Sequence, residues 1–229
     1  AGPFLPRALL TAWHEQQIQR PSDRPYLDAA LRAEHWIRAV GIDTAAGRTW
    51  PCTPGDPRRN RPELSLYSGT PGVILFYLEL HGATGEKQFL DEAVRGALEL
   101  AMVIPPAGTR TRDAGLYEGI AGQMFTLHAV ANASGRADLI TAAKRAARVL
   151  ADSAQPAPGG GVRWSVVTDI IGGSAGIGLA LLAARDLLGD ESISLARKTG
   201  DALLARAEPM GEGKRRWMMD DSFPREMPN

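Results

Sequence analysis

The chain of 229 residues has a single cysteine, Cys52, so no intrachain disulfide framework is available and a reducing compartment is expected, with the cytoplasm as the default. It lacks charge of one sign: 26 basic side chains are matched by 26 acidic ones, which removes long-range attraction to nucleic acid or an anionic membrane. It also lacks a long apolar run. The longest uncharged stretch near an inner segment, Ile170 to Ala184, has 15 residues and is rich in glycine, short of the roughly 18 to 20 that a membrane span needs. Alternating apolar and polar residues are scarce, and only GVRWSVVTDII offers one short strand or a hairpin within a loop. No basic, apolar, small-residue signal opens the chain, which starts at Ala1, so the first residue is expected not to be the native one.

What the chain does have is glycine in a pattern. The tetrads SGTPG, EGIAG and GGSAG place Gly69 and Gly72, Gly119 and Gly122, and Gly173 and Gly176 ahead of apolar runs, at intervals of 50 and then 54 residues. Laying residues 66–101 over 116–151 without a gap gives 11 identities in 36 positions. A third copy from Asp169 to about Ala207 keeps Gly173, Gly176 and Gly189 and needs a one-residue slip in its second half. A period of this length signals a repeat architecture.

Each unit has two parts. The segment after the tetrad (VILFYLEL, QMFTLHAV, IGLALLAA) is apolar nearly all round, as a helix covered on both sides must be. After a polar turn comes an amphipathic segment, with Phe89, Leu90, Ala93, Val94, Ala97 and Ala101 at helical spacing in the first copy. Residues 26–40 match this outer segment in pattern and read as the outer half of an earlier unit. The expectation is one all-α domain over 1–229, an alpha/alpha toroid of inner and outer helices that is incomplete in this chain. Its units are approximately 66–115, 116–168 and 169–229, with a partial unit at 26–65. The connections rich in proline and glycine fall between units and do not mark separate domains.

The tetrads with their flanks, LYSGTPGVILFYLE, GLYEGIAGQMFTL and W-x4-DIIGGSAGIGLALL, resemble the repeats of lanthionine synthetase C-like proteins, the cyclases of lanthipeptide biosynthesis and their stand-alone relatives. GRTWP at 47–51 and the closing FPREMPN belong to the same resemblance, which covers the chain from about Tyr26 onward. It implies a toroid of seven inner and seven outer helices around a central cavity. It implies an activity too: addition of peptide cysteine thiols to dehydroalanine or dehydrobutyrine, forming thioether rings in a dehydrated precursor peptide. A fused or partner kinase or dehydratase would supply that peptide.

The resemblance also implies Zn2+ held by two cysteines and a histidine, which lowers the thiol pKa. Cys52 with His14, His35, His81 and His128 offers no such set, so no metal ligand is assigned within 1–229. The implied catalytic histidine and zinc ligands are expected beyond Asn229. The chain is thus expected to be the N-terminal half of a longer protein whose activity needs the other half, and a zinc-free branch of the family stays open.

The one catalytic candidate is Asp169, four residues before Gly173, where Ser65 and Gly115 occupy the equivalent places. By the resemblance it would accept a hydrogen bond from the catalytic imidazole; otherwise it caps a helix, as Asp does well. Substrate-binding candidates are Tyr67, Tyr117, Trp164 and Trp217, with core packing the competing role. His81 and His128 read as helix-end or core histidines, and the KRR run at 214–216 as a solvated loop. Two other readings remain: a non-catalytic toroidal scaffold that binds peptides, and a carbohydrate-active alpha/alpha barrel. The latter needs a carboxylate pair, for which only Asp169 and, less well placed, Glu118 are available.

Overall fold

The computed structural model describes residues 23–54 and 63–218; the closing FPREMPN and His14 lie outside the described residues. The chain is all-α, with helices alternating as the two-part pattern requires. Helix α1 (Pro25–Val40) is followed by a hairpin of β1 (Ile42–Asp43) and β2 (Arg48–Thr49). The first full unit pairs α2 (Thr70–Thr84) with α3 (Lys87–Val103), and the second pairs α4 (Ile120–Ser134) with α5 (Ala137–Asp152). A hairpin of β3 (Gln155–Pro156) and β4 (Val162–Arg163) then leads to α6 (Ser174–Ala183), the short α7 (Arg185–Leu188) and α8 (Asp190–Arg206). A last hairpin joins β5 (Glu208–Pro209) to β6 (Arg215–Arg216). No helix among the described residues is long and apolar enough to cross a membrane.

The inner helices α2, α4 and α6 lie side by side in chain order, and the outer helices α3 and α5 pack behind them. Among the described residues, α4 alone has an inner neighbour on each flank. It buries Ile120, Ala121, Met124, Leu127, Val130 and Ala131, whereas α6 leaves Leu179 and Leu182 about half exposed. An apolar circumference therefore means near-complete cover for α4, where Phe125 is the exposed large apolar side chain, and much less for α6. The outer helices bury a stripe of small residues, such as Ala142, Ala143, Ala146 and Ala147 of α5, which lets them approach the inner layer closely. Gly96 of α3 is one such contact: a Cβ there would stand 2.6 Å from Ile74 Cγ1 and 2.9 Å from Trp50 Cζ3.

The inner helices α2 and α4 end alike, with left-handed Gly85 (φ 73°) and Gly135 (φ 71°) whose N–H groups close on His81 and Ala131 carbonyls. In the third unit α6 stops at Ala183 and α7 completes the run to Gly189.

Three hairpins follow outer helices, and each carries a tryptophan directly after its second strand. Trp50, Trp164 and Trp217 donate their indole N–H groups to the carbonyls of Ile37 (3.0 Å), Leu150 (2.7 Å) and Leu203 (2.8 Å), in the last turns of α1, α5 and α8. Those carbonyls belong to the group that a helix end leaves without an internal partner. Trp164 is 5% exposed and packs in the core. Trp217, half-buried, makes the same bond. Both rings secure hairpins against outer helices, in line with the packing role that competed with substrate binding. The KRR run is solvated at Lys214 and Arg215 as expected, but Arg215 and Arg216 form β6 and Arg216 pairs with Glu208 at 2.9 Å.

Where α1 meets the first unit lies a buried polar group. Glu34, 2% exposed, accepts from Arg38 Nε (2.6 Å) and from the Tyr77 hydroxyl (3.3 Å). Burial, reinforced by the charges of Glu34 and Glu92, pushes the Tyr77 phenol well above its ordinary value.

Candidate functional site

Each tetrad closes a turn immediately ahead of an inner helix. In all three units the first helical N–H reaches back seven residues: Thr70 to Glu63 O (2.9 Å), Ile120 to Asp113 O (2.9 Å) and Ser174 to Val167 O (3.1 Å). The second glycine of each tetrad lies against the carbonyl six residues earlier. An added Cβ would stand 2.5 Å from Leu66 O at Gly72, 2.1 Å from Leu116 O at Gly122 and 2.0 Å from Ile170 O at Gly176. Only glycine lets the backbone pass that close.

The turns are stitched to one another. Tyr67 N–H donates to Tyr117 O (3.0 Å), and Tyr117 N–H, the equivalent group in the next unit, donates to Ile171 O (2.9 Å). The third equivalent N–H, that of Ile171, turns inward to Asp169 Oδ1 (2.9 Å). The same oxygen accepts from Gly172 (2.9 Å) and Gly173 (3.0 Å). Ser65, at the corresponding place in the first unit, reaches a single residue, with its Oγ accepting from Ser68 N–H at 3.2 Å and sharing a hydrogen bond with Ser68 Oγ at 3.1 Å. At Gly115 in the second, a Cβ would meet Gly172 Cα at 2.7 Å, so no side chain fits.

Asp169 is half-buried, with Oδ1 held by three amides, and its Oδ2 has no partner among the described residues. Glu118 is exposed on the neighbouring turn, and its Oε2 lies 3.4 Å from the position of a Cβ on Gly172. Tyr67, 70% exposed, meets Tyr117 edge to face with ring centroids 6.4 Å apart. Tyr117 also lines a hollow of about 250 Å3 between inner helices, with Leu66, Leu75, Leu116, Phe125 and Leu179. Of the sequence candidates, Asp169, Tyr67 and Tyr117 thus gather on the joined tetrad turns, while Trp164 and Trp217 lie behind them in the hairpins.

The described residues do not fit the zinc site implied by the resemblance. Cys52 is exposed in the first hairpin connection; His81 Nδ1 lies 3.0 Å from Glu86 O, and His128 Nε2 lies 3.1 Å from Asn132 Nδ2. No three His, Cys, Asp or Glu side chains converge among the described residues.

An all-α layering of inner and outer helices, entered through glycine turns joined by their backbones, defines the class of the protein. Residues 62–221 match the family model described as lanthionine synthetase C-like protein, and the chain belongs to that family. No curated protein matches the chain.

Proposed function

We propose that this chain forms part of a cyclase that adds peptide cysteine thiols to dehydroalanine or dehydrobutyrine, closing thioether rings in a dehydrated precursor peptide. In that reaction a bond forms between sulfur and the β-carbon while the carbon–carbon π bond breaks. The electron pair moves to the α-carbon side as an enolate, and a proton, equal in number to the one lost by the thiol, ends on the α-carbon. The observation that carries the reading is Asp169. It stands on the third tetrad turn with one carboxylate oxygen fixed by three amides and the other without a partner.

A carboxylate held this way points without paying rotamer entropy at each turnover, and it suits the task of orienting an imidazole and stabilising its cation during proton transfer. That imidazole is implied by family resemblance and lies outside the described residues. Tyr67 and Tyr117 offer rings to the apolar parts of the peptide. The described residues supply no zinc ligand set, and no step is routed through a metal.

The test compares Asp169→Asn and Asp169→Ala in the intact protein on a dehydrated peptide, scoring free thiols by mass after alkylation. Asn keeps the oxygen that the three amides bind and removes the charge; Ala removes both. The proposal expects both variants to slow ring closure, by about 100-fold or more for loss of a group in proton transfer, with Asn keeping the wild-type melting temperature. Unchanged turnover in Asn would refute it. That outcome would leave Asp169 as a turn cap, the role its Oδ1 bonds already serve, whereas no ring closure by the wild-type protein would favour the non-catalytic peptide-binding scaffold.

A further inference from the structure

Beside the Asp169 turn is a groove of about 500 Å3 whose polar lining consists of Arg163, Arg206 and the residues Ser165, Thr168 and Ser174, without a carboxylate. Val166, Ala202 and Leu203 give it an apolar floor. Thr168 and Ser174 bracket the segment from Asp169 to Gly173, so the groove begins at the turn.

Its walls are fixed. One is the β3–β4 hairpin, pressed on α8 at Gly161, where a Cβ would stand 2.5 Å from Lys198 O and 2.7 Å from Ala202 N. The other is the last part of α8, tied to the loop by an Arg206 guanidinium bond to the Val166 carbonyl. The charge lining the groove is of one sign. The Arg163 side chain has no hydrogen bond or ion pair among the described residues, so its guanidinium donors are open to the groove. The described residues that line the groove thus carry two positive charges and no negative one.

We propose that the groove binds a carboxylate of the substrate peptide a few residues along from the residue that reacts at the Asp169 turn. An unpaired guanidinium recognises a carboxylate through two parallel N–H donors, and an apolar floor accommodates the stem that carries it. The carboxylate comes from an acidic side chain or from a peptide C-terminus. That the occupant is a peptide rests on the cyclase reading above; the groove and its charge do not.

Three labelled hexapeptides that differ only in the acid separate the sources: one with Asp and an amidated end, one with Asn and an amidated end, one with Asn and a free C-terminus. Fluorescence anisotropy with the full chain reads their affinities. At least one carboxylate-bearing peptide binds about tenfold or more tighter than the neutral one, as charge-assisted hydrogen bonds require, and which one it is identifies the source. Arg163→Gln erases the preference and Arg163→Lys keeps part of it, with unchanged circular dichroism. Equal binding of all three peptides, no binding of any, or a preference that survives Arg163→Gln overturns the assignment. Ring closure is scored separately. Selective binding without ring closure removes the cyclase reading and leaves the groove, while ring closure indifferent to the acid and to Arg163 does the reverse.

Discussion

Gly122→Ala and Gly200→Ala are the same chemical change on two helices, and they should have opposite signs. At Gly122 the new Cβ would be 2.1 Å from Leu116 O and 3.2 Å from Leu116 C, well inside contact distance. The obstruction is backbone, so no side-chain rotation relieves it. The turn must move by about 1 Å to restore an ordinary contact, and that strains the bonds from Gly119 N–H to Gly115 O and from Ile120 N–H to Asp113 O. Tyr117, on the same turn, carries a bond to the first unit and a bond to the third. Losing two or three bonds of about 1 kcal/mol each places the cost at about 2–4 kcal/mol, or some 5–15 °C in Tm for a domain of this size. Gly200 lies within α8 with no atom within 4 Å of an added Cβ, so alanine there gains only helix propensity, about 0.5–1 kcal/mol. Differential scanning calorimetry of the two variants reads the contrast. A Gly122→Ala melting temperature within about 2 °C of wild type would refute the argument that the tetrad spacing is set by backbone contact.

Trp164→Phe keeps most of the buried ring and removes the shorter of two bonds to Leu150 O, leaving that from Ser153 N–H at 3.2 Å, so it should cost about 1 kcal/mol. Trp217→Phe, at a half-buried site, should cost less; equal or negligible losses in chemical denaturation would remove the hairpin-securing role. Tyr77→Phe removes a phenol whose ionisation the fold disfavours. Because the folded value is raised above the ordinary ~10, that stabilisation is intact below about pH 10 and fades as pH rises further. Wild type should therefore lose Tm faster than Tyr77→Phe from about pH 9 to about pH 11, and parallel curves would count against burial as the cause.

The glycine tetrads were legible in sequence because they answer a constraint on the backbone alone: a carbonyl six residues back that excludes any Cβ. Nothing about neighbouring units is needed to notice it. The inner helices were legible as apolar runs, but their unequal burial was not, since cover depends on how many neighbours each has. The tryptophans suggest a wall because they stand near the site, and their bonds to helix ends were hardly legible. The signal for their real role was present in RTW, VRW and RRW, each directly after an outer segment and its turn, yet one residue type at a variable distance carries little weight. The groove at Arg163 could not be read at all. Its two arginines are 43 residues apart in sequence (206 − 163), and their shared want of a carboxylate neighbour in the lining is a fact of packing.

The placement of Asp169 follows from the stitching of the turns. In the first two units the N–H two residues before the tetrad is committed to the next unit, so a side chain that captured it would cut the link. Ser65 is short enough to take only the amide of Ser68 and leave Tyr67 N–H free. Gly115 has no side chain, and the Ile171–Gly172 segment fills the space one would need. At the third turn the corresponding N–H, that of Ile171, goes to Asp169 instead. A carboxylate reaching three amides is therefore compatible with this turn and not with the other two. Moving it, as in Ser65→Asp, should divert Tyr67 N–H from Tyr117 O and loosen the first turn from the second. Hydrogen exchange at the Tyr67 amide would separate the cases: faster exchange than in wild type supports the link, and unchanged protection refutes it.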